Sequence, residues 1–239
     1  MNSAEKLNDN TKTKTKEKPK KKKKIGNFFY DFVKVTGAIP TLIWARVKVI
    51  GANGKKPKKI KGGVLISSNH VSFLDPIIVH CAFWYRRIHS LATTDLYNTK
   101  MKDFFFTRMH CIPVDKKNFS MRSLHQVCDT LKENKAVLIF PEGQVNRNAN
   151  EILCFKSGAV LMAHKSQKPV LPILIIKAEK WYNRQVVLVG EPIDVYKECG
   201  EHPTMEDLNK ISQKIHDEEA KLYEYYQSLK NKKKKKKDK

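Results

Sequence analysis

Asn69-His70-Val71-Ser72-Phe73-Leu74-Asp75 sets a histidine five positions before an aspartate. A carboxylate can hold one imidazole nitrogen and leave the other free to take a proton, the arrangement of a general base. The stretch follows the apolar run Val64-Leu65-Ile66, which predicts a buried strand opening into a loop and a helix starting near Asp75-Pro76. A strand end fixes such a histidine and the loop exposes it. A lone His-Asp pair suits a plain surface hydrogen bond equally well, so the rest of the chain must choose. Downstream, Val137-Leu138-Ile139-Phe140-Pro141-Glu142-Gly143 reads as a second apolar strand, cut off by Pro and Gly at a turn that carries one carboxylate.

These residues need a scaffold. Val64–Ser67, Ile112–Val114, Val137–Phe140, Leu171–Ile176 and Val186–Val189 read as strands. Helical patterns lie between them: an apolar one from Asp75 to Phe83, one with Leu124, Val127, Cys128 and Leu131 in phase, and a short one from Phe155 to His164. Ser120 or Ser123 would cap the second of these. Met205, Leu208, Ile211, Ile215, Leu222 and Leu229 mark a long amphipathic helix from about Thr204, whose Glu- and Lys-rich face is read as solvated. The alternation predicts an α/β fold, a mixed sheet flanked by helices. Loops at the carboxyl ends of its strands would gather His70, Asp75, Lys116 and Glu142 into one cleft.

A length of 239 residues and 41% apolar content suit one domain with tails. The net charge of +23 is uneven. Residues 1–25 hold ten lysines against three acids and residues 230–239 eight against one, net +7 each, which leaves +9 on the remainder. Tails of this composition have little apolar surface with which to fold, and are read as disordered. Between tail and core, Ile25 to Ala45 is aromatic and amphipathic, but its longest uncharged stretch, Val35 to Ala45, is eleven residues. A spanning helix takes about 20. Gly37 and Pro40 interrupt it further, so a helical hairpin lying in one leaflet is expected, with the lysines on anionic headgroups. A hairpin packed on the core fits the same residues. A signal peptide does not, since Asp31 and Lys34 break the apolar region. The divisions expected are residues 1–24 as tail, 25–58 as N-terminal helices, 59–229 as catalytic domain and 230–239 as tail. Five scattered cysteines without Cys-x-x-Cys spacing read as buried thiols of a reducing compartment. The histidines outside the His70 block form no ligand set, so neither a metal nor another cofactor is expected.

Taken together, the two blocks resemble the glycerolipid acyltransferase family. That family carries Asn-His, four residues and Asp, and later Phe-Pro-Glu-Gly; both stand here in order. Its second block resembles Cys111-Ile112-Pro113-Val114-Asp115-Lys116 and its fourth Val170-Leu171-Pro172-Ile173, while Phe155-Lys156-Ser157-Gly158-Ala159 also follows its pattern. The likeness spans about residues 60 to 195. Two positions depart: Lys116 stands where the family has Arg, and Gln144-Val145 where it has Thr-Arg. Lysine is a point charge without the guanidinium fork.

The resemblance implies transfer of a fatty acyl group from acyl-CoA or acyl-carrier protein to a lysophospholipid hydroxyl, with 1-acyl-glycerol-3-phosphate the first acceptor to consider and phosphatidic acid the product. His70 would be the base and Asp75 would fix its tautomer. Glu142 and Gly143 would meet the acceptor, Lys116 and Arg147 its phosphate, and Asn69 and Ser72 would shape the loop. No Ser or Cys nucleophile is needed, and no Gly-x-Ser-x-Gly elbow is present. The enzyme would sit as a monotopic protein on the cytoplasmic face of the membrane. Rival readings are the same fold acting on another acceptor and a catalytically silent lipid-binding protein. Nucleic acid is not an expected partner, because the basic charge lies in tails rather than in a folded patch with stacking aromatics.

Overall fold

The apolar runs become strands buried on both faces. The computed structural model describes residues 26–52, 54, 56–115, 120–146, 152–176 and 184–235, with backbone alone for 38, 39, 41–45, 233 and 234. In chain order the strands are β1 (Lys48–Gly51), β2 (Val64–Ser68), β3 (Ile88–Thr93), β4 (Ile112–Val114), β5 (Ala136–Ile139), β6 (Val170–Ile176) and β7 (Val186–Val189). They form one sheet in the order β1-β7-β6-β2-β5-β3-β4. Pairing is parallel everywhere except between β6 and β7, so the expected mixed sheet forms.

The helices are α1 (Phe28–Ala45), α2 (Asp75–Ala82), α3 (Lys100–Arg108), α4 (Met121–Lys132), α5 (Gly158–Ser166), α6 (Val195–Cys199) and α7 (Met205–Lys235). Successive side chains of a strand point to opposite faces. Leu65 therefore joins the apolar layer made with α4, α5 and α7, while its neighbours Val64 and Ile66 join the layer made with α2. Both faces of β2 are covered, which is why its sequence reads as an unbroken apolar run rather than an alternation. Gly63 leads into it. A Cβ there would stand 2.1 Å from the Leu131 carbonyl at the end of α4, so only glycine lets the strand start so close beneath that helix. Ser120 caps α4 by accepting the Ser123 N–H at 3.2 Å.

Several expectations change. The segment read as a hairpin is one helix, α1, which runs through Gly37 and Pro40; a proline removes one backbone bond and need not end a helix that is held elsewhere. Tyr30 does much of that holding. It is fully buried, and its hydroxyl accepts the Ile88 N–H at 2.9 Å. Residues 48–51, grouped by sequence with the N-terminal helices, are β1 and cover the outer edge of β7. Residues 230–235, read as part of a disordered tail, continue α7, since extending a formed helix with lysine costs little. Residues 1–25 and 236–239 lie outside the described residues. Among the described residues no helix is long and apolar enough to cross a membrane.

Candidate active site

β2 and β5 lie side by side and parallel, with Ser67 in register with Ile139. Their exits therefore bring the His70 loop and the Glu142 turn together at the carboxyl edge of the sheet. Asn69 locks the loop sideways. Its side chain donates to the Ile175 carbonyl at 3.0 Å and accepts the Ile175 N–H at 2.8 Å, extending the sheet pairing past the end of β2.

Asp75 is fully buried at the first turn of α2. One of its oxygens, Oδ2, faces three nitrogens: the Val71 and Ser72 N–H groups, both at 2.7 Å, and His70 Nδ1 at 2.9 Å. An ionised carboxylate can only accept, so Nδ1 must carry the proton. Nε2 is then the nitrogen able to take one from a substrate. The His70 side chain keeps 16% of its surface exposed, enough to be reached at a cleft. Ser72 does not cap α2; its hydroxyl accepts the Leu74 N–H at 3.3 Å inside the loop.

Phe140 stacks on the imidazole, with ring centroids 4.1 Å apart and 18° between planes. An aromatic face favours a positive charge above it, so an imidazolium formed during reaction would be stabilised there. The sequence reading took Phe140 as the end of a strand. The signal available was only that an aromatic preceded the Pro-Glu-Gly turn.

Glu142 is 5% exposed. Its Oε1 accepts the His70 N–H at 3.2 Å, while its buried Oε2 has no hydrogen-bond partner among the described residues. Burial pushes this carboxyl up to about 7, against the opposing pull of the His70 N–H and ring. Gly143 has φ of 70° and closes the turn by donating to the Phe140 carbonyl at 3.0 Å, so a left-handed residue is required there. The exposed Lys156 reaches over this glycine: a Cβ at Gly143 would lie 3.0 Å from Lys156 Nζ. Lys156 is thus the described cation beside the turn. Lys116 and Arg147 lie outside the described residues.

A carboxylate absent from the sequence reading completes the site. Glu219 of α7 is fully buried behind it and accepts from Ser67 Oγ at 3.0 Å. Its other oxygen, Oε2, has no hydrogen-bond partner among the described residues. The signal was an interrupted stripe. Leu208, Ile211, Ile215 and Leu222 are buried in phase, and Glu219 fills the position where the stripe calls for another apolar residue.

His70, Asp75, Glu142 and Asn69 therefore come together, with one imidazole nitrogen oriented and one available. The arrangement can remove a proton from a hydroxyl held in the cleft. Comparison with known proteins gives the same chemistry a family. The chain is 25% identical over 189 residues to the 1-acyl-sn-glycerol-3-phosphate acyltransferase of Borreliella burgdorferi, covering 76% of this chain and 71% of the relative. It is 30% identical over 110 residues to the Bacillus subtilis enzyme of the same name, covering 46% of this chain and 54% of that one. It is also 30% identical over 138 residues to the Helicobacter pylori one, covering 57% and 55%. The matches thus span about half the length of the latter two. The crystal structure of the 1-acyl-sn-glycerophosphate acyltransferase PlsC from Thermotoga maritima shares the fold, with a TM-score of 0.57 at 19% identity over 82% of this chain and 79% of that one. A family model described as Acyltransferase matches residues 46–176, from β1 through β6, and with more than half its length matched the chain belongs to that family.

Proposed function

We propose that this chain transfers a fatty acyl group from an acyl-CoA or acyl-carrier-protein thioester to the free hydroxyl of 1-acyl-glycerol-3-phosphate, giving phosphatidic acid. The observation that carries the reading is the His70 imidazole, fixed by Asp75 at 2.9 Å and left partly exposed with its second nitrogen available. His70 takes the hydroxyl proton as the alkoxide attacks the thioester carbonyl. The carbon–sulfur bond then breaks, the thiolate leaves with the proton, and His70 is regenerated. Such a base contributes on the order of 10²–10⁴ in rate. Asp75 holds the tautomer and steadies the imidazolium, and the stacked Phe140 ring supports it from one face. Three relatives carry this acceptor in their names.

The acceptor phosphate needs cations. Lys156 stands beside the Glu142 turn, and Lys116 and Arg147 are the further candidates in the sequence. The protein works as a peripheral enzyme on a membrane surface, consistent with the exposed Phe73 and Leu74 next to His70.

The test is acyl transfer from a radiolabelled acyl thioester to 1-acyl-glycerol-3-phosphate in mixed micelles, comparing wild type with His70→Ala. Wild-type turnover with none in the variant is expected. Equal turnover in both would remove His70 as the base. A wild type that ignores this acceptor but acylates another lysophospholipid would keep the chemistry and move the substrate.

A further inference from the structure

α7 lies beyond the residues that the family model matches, yet it touches the site from two sides. Ser212 donates to the Phe155 carbonyl at 3.3 Å, and the His216 ring packs edge-on against Phe155 with centroids 5.3 Å apart. Residue 156 in turn donates its N–H to the Pro141 carbonyl at 3.1 Å, next to Glu142. One helical turn further on, Glu219 takes the Ser67 hydroxyl at the last turn of the β2 ladder. The helix is thus fastened both to the strand that delivers His70 and to the segment that backs Glu142.

Glu219 does not sit there for stability. Leucine would continue the apolar stripe of α7 at this position, and Oε2 is buried without a hydrogen-bond partner among the described residues. A lone buried polar atom costs about 1–3 kcal/mol. Replacement of buried ionisable groups by packed apolar ones is often neutral or stabilising. A buried carboxyl that raises the cost of the fold and ends on the active strand needs a reason in the site.

We propose that Glu219 is a positioning residue of the acyl-transfer site, holding the exit of β2 through Ser67 so that His70 and Glu142 face one substrate. The inference rests on the acyl-transfer reading. Its logic follows the amides of the loop. The His70 N–H ends on Glu142, and the Val71 and Ser72 N–H groups end on Asp75. Glu219, through Ser67, holds the end of the strand just before them. Carboxyl groups from three elements thus hold the strand exit and the base-bearing loop, and Glu219 is the one nearest the strand. Burial, and then the neighbouring Glu142, push its carboxyl well above the usual range, while Ser67 opposes them. A glutamine, uncharged and of the same shape, keeps an oxygen for the Ser67 hydroxyl and can take its place.

The experiment uses the full chain as wild type, Glu219→Gln, Glu219→Leu and Ser67→Ala. Thermal midpoint, kcat and KM are measured with 1-acyl-glycerol-3-phosphate and an acyl-CoA, and hydrogen exchange of the 69–72 amides without substrate. E219L is expected to melt close to wild type, the stranded Ser67 hydroxyl offsetting the removed carboxyl, to lose roughly 10- to 100-fold in kcat from misplacement of the base, and to keep its acceptor KM within about twofold, because the interaction lost is one that orients rather than binds. E219Q is expected to retain wild-type kcat, since its amide oxygen accepts the Ser67 hydroxyl. S67A should fall with E219L. Exchange at 69–72 should quicken in E219L and S67A and not in E219Q. Wild-type kcat in E219L, or unchanged exchange at these amides, overturns the proposal, as does a loss in E219Q equal to that in E219L. Should E219L fail to fold, E219Q and S67A decide by the same readouts. A wild type without transferase activity would sink the functional reading alone, because the exchange measurement still reports on the loop.

Discussion

Around the 69–72 loop, the carboxyl groups that hold His70 and its neighbours also carry an electrostatic load. Glu142 is the clearest case. Its ordinary value is 4.5, and in the folded chain it rises to about 7. For an acid raised on folding, the native state binds more protons than the unfolded one between those values. Stability is therefore full below about pH 4.5 and is lost as pH climbs toward 7. Glu142→Gln removes this dependence. Relative to wild type, the variant is expected to gain stability steadily from pH 5 to pH 8, read as the difference in urea midpoint, while its acyl transfer falls. A constant difference across that range would show that Glu142 is ionised alike in both states. The His70 N–H keeps an oxygen acceptor in the variant, so the loop itself should hold. Activity and stability thus oppose one another at this residue, as they often do where a site buries charge.

At the scale of elements, α1 is fastened to the sheet at successive turns. Tyr30 accepts the Ile88 N–H, Asp31 takes Arg87 Nε at 2.9 Å and Nη2 at 2.6 Å, and Lys34 donates to the Arg86 carbonyl at 2.7 Å. The Asp31–Arg87 pair is exposed on both sides and exposed pairs contribute little. Tyr30 is buried, so Tyr30→Phe strands the Ile88 N–H and should cost about 1–3 kcal/mol. The loss should appear in chemical denaturation together with faster proteolysis near α1. A midpoint equal to wild type would mean that the lysine and the ion pair hold the helix alone. These contacts also mark what the sequence could and could not display. β2, β5, β6 and β7 announce themselves because strands buried on two faces are largely apolar, and the short edge strand β4 is apolar as well. β3, Ile88-His89-Ser90-Leu91-Ala92-Thr93, mixes polar and apolar residues, and four of the six are buried; its histidine packs edge-on against the His110 ring, with centroids 5.0 Å apart, so its burial depends on a partner outside the strand. α3, Lys-Met-Lys-Asp-Phe-Phe-Phe-Thr-Arg, buries none of its side chains fully and shows no inward stripe to read. The His70–Asp75 pair and the Glu142 turn were legible because each is local. Glu219 was not, because its partner Ser67 lies 152 positions away.

At the scale of the molecule, large apolar side chains stand exposed on α1, on α3 and beside His70. Phe28, Phe32 and Val35 of α1 are exposed, as are Met101, Phe104 and Phe105 of α3. Phe29 links the two helices through edge contacts to Phe104 at 5.5 Å and Phe105 at 6.3 Å. α1 also contacts α2, beside the loop where Phe73 stands 80% exposed three positions past His70. A soluble monomer rarely shows so many large apolar groups together unless something covers them. Basic groups accompany them: Arg108 lies 4.8 Å over the Phe104 ring, Lys100 and Lys102 share α3, and each end of the chain carries net +7. A bilayer with anionic headgroups answers both features. Each lysine near such a surface contributes about 1 kcal/mol and is screened within a Debye length, whereas apolar insertion is indifferent to salt. The two contributions can therefore be separated by flotation with phosphatidylcholine vesicles, with and without phosphatidylglycerol. Wild type is expected on anionic vesicles, with partitioning that weakens as salt rises. Removal of residues 1–24, one of the two +7 ends, should weaken that salt dependence and leave binding to both vesicle types. Phe28→Ser with Phe104→Ser should do the reverse, lowering binding about 10-fold or more at every salt concentration, given roughly 1.5–3 kcal/mol for each fully buried phenylalanine. If that double variant binds as wild type does, the lipid-facing surface lies elsewhere. The aromatic ridge between α1 and α3 would then need a protein to cover it, and the substrate would have to reach His70 without the membrane lying against the Phe73 loop.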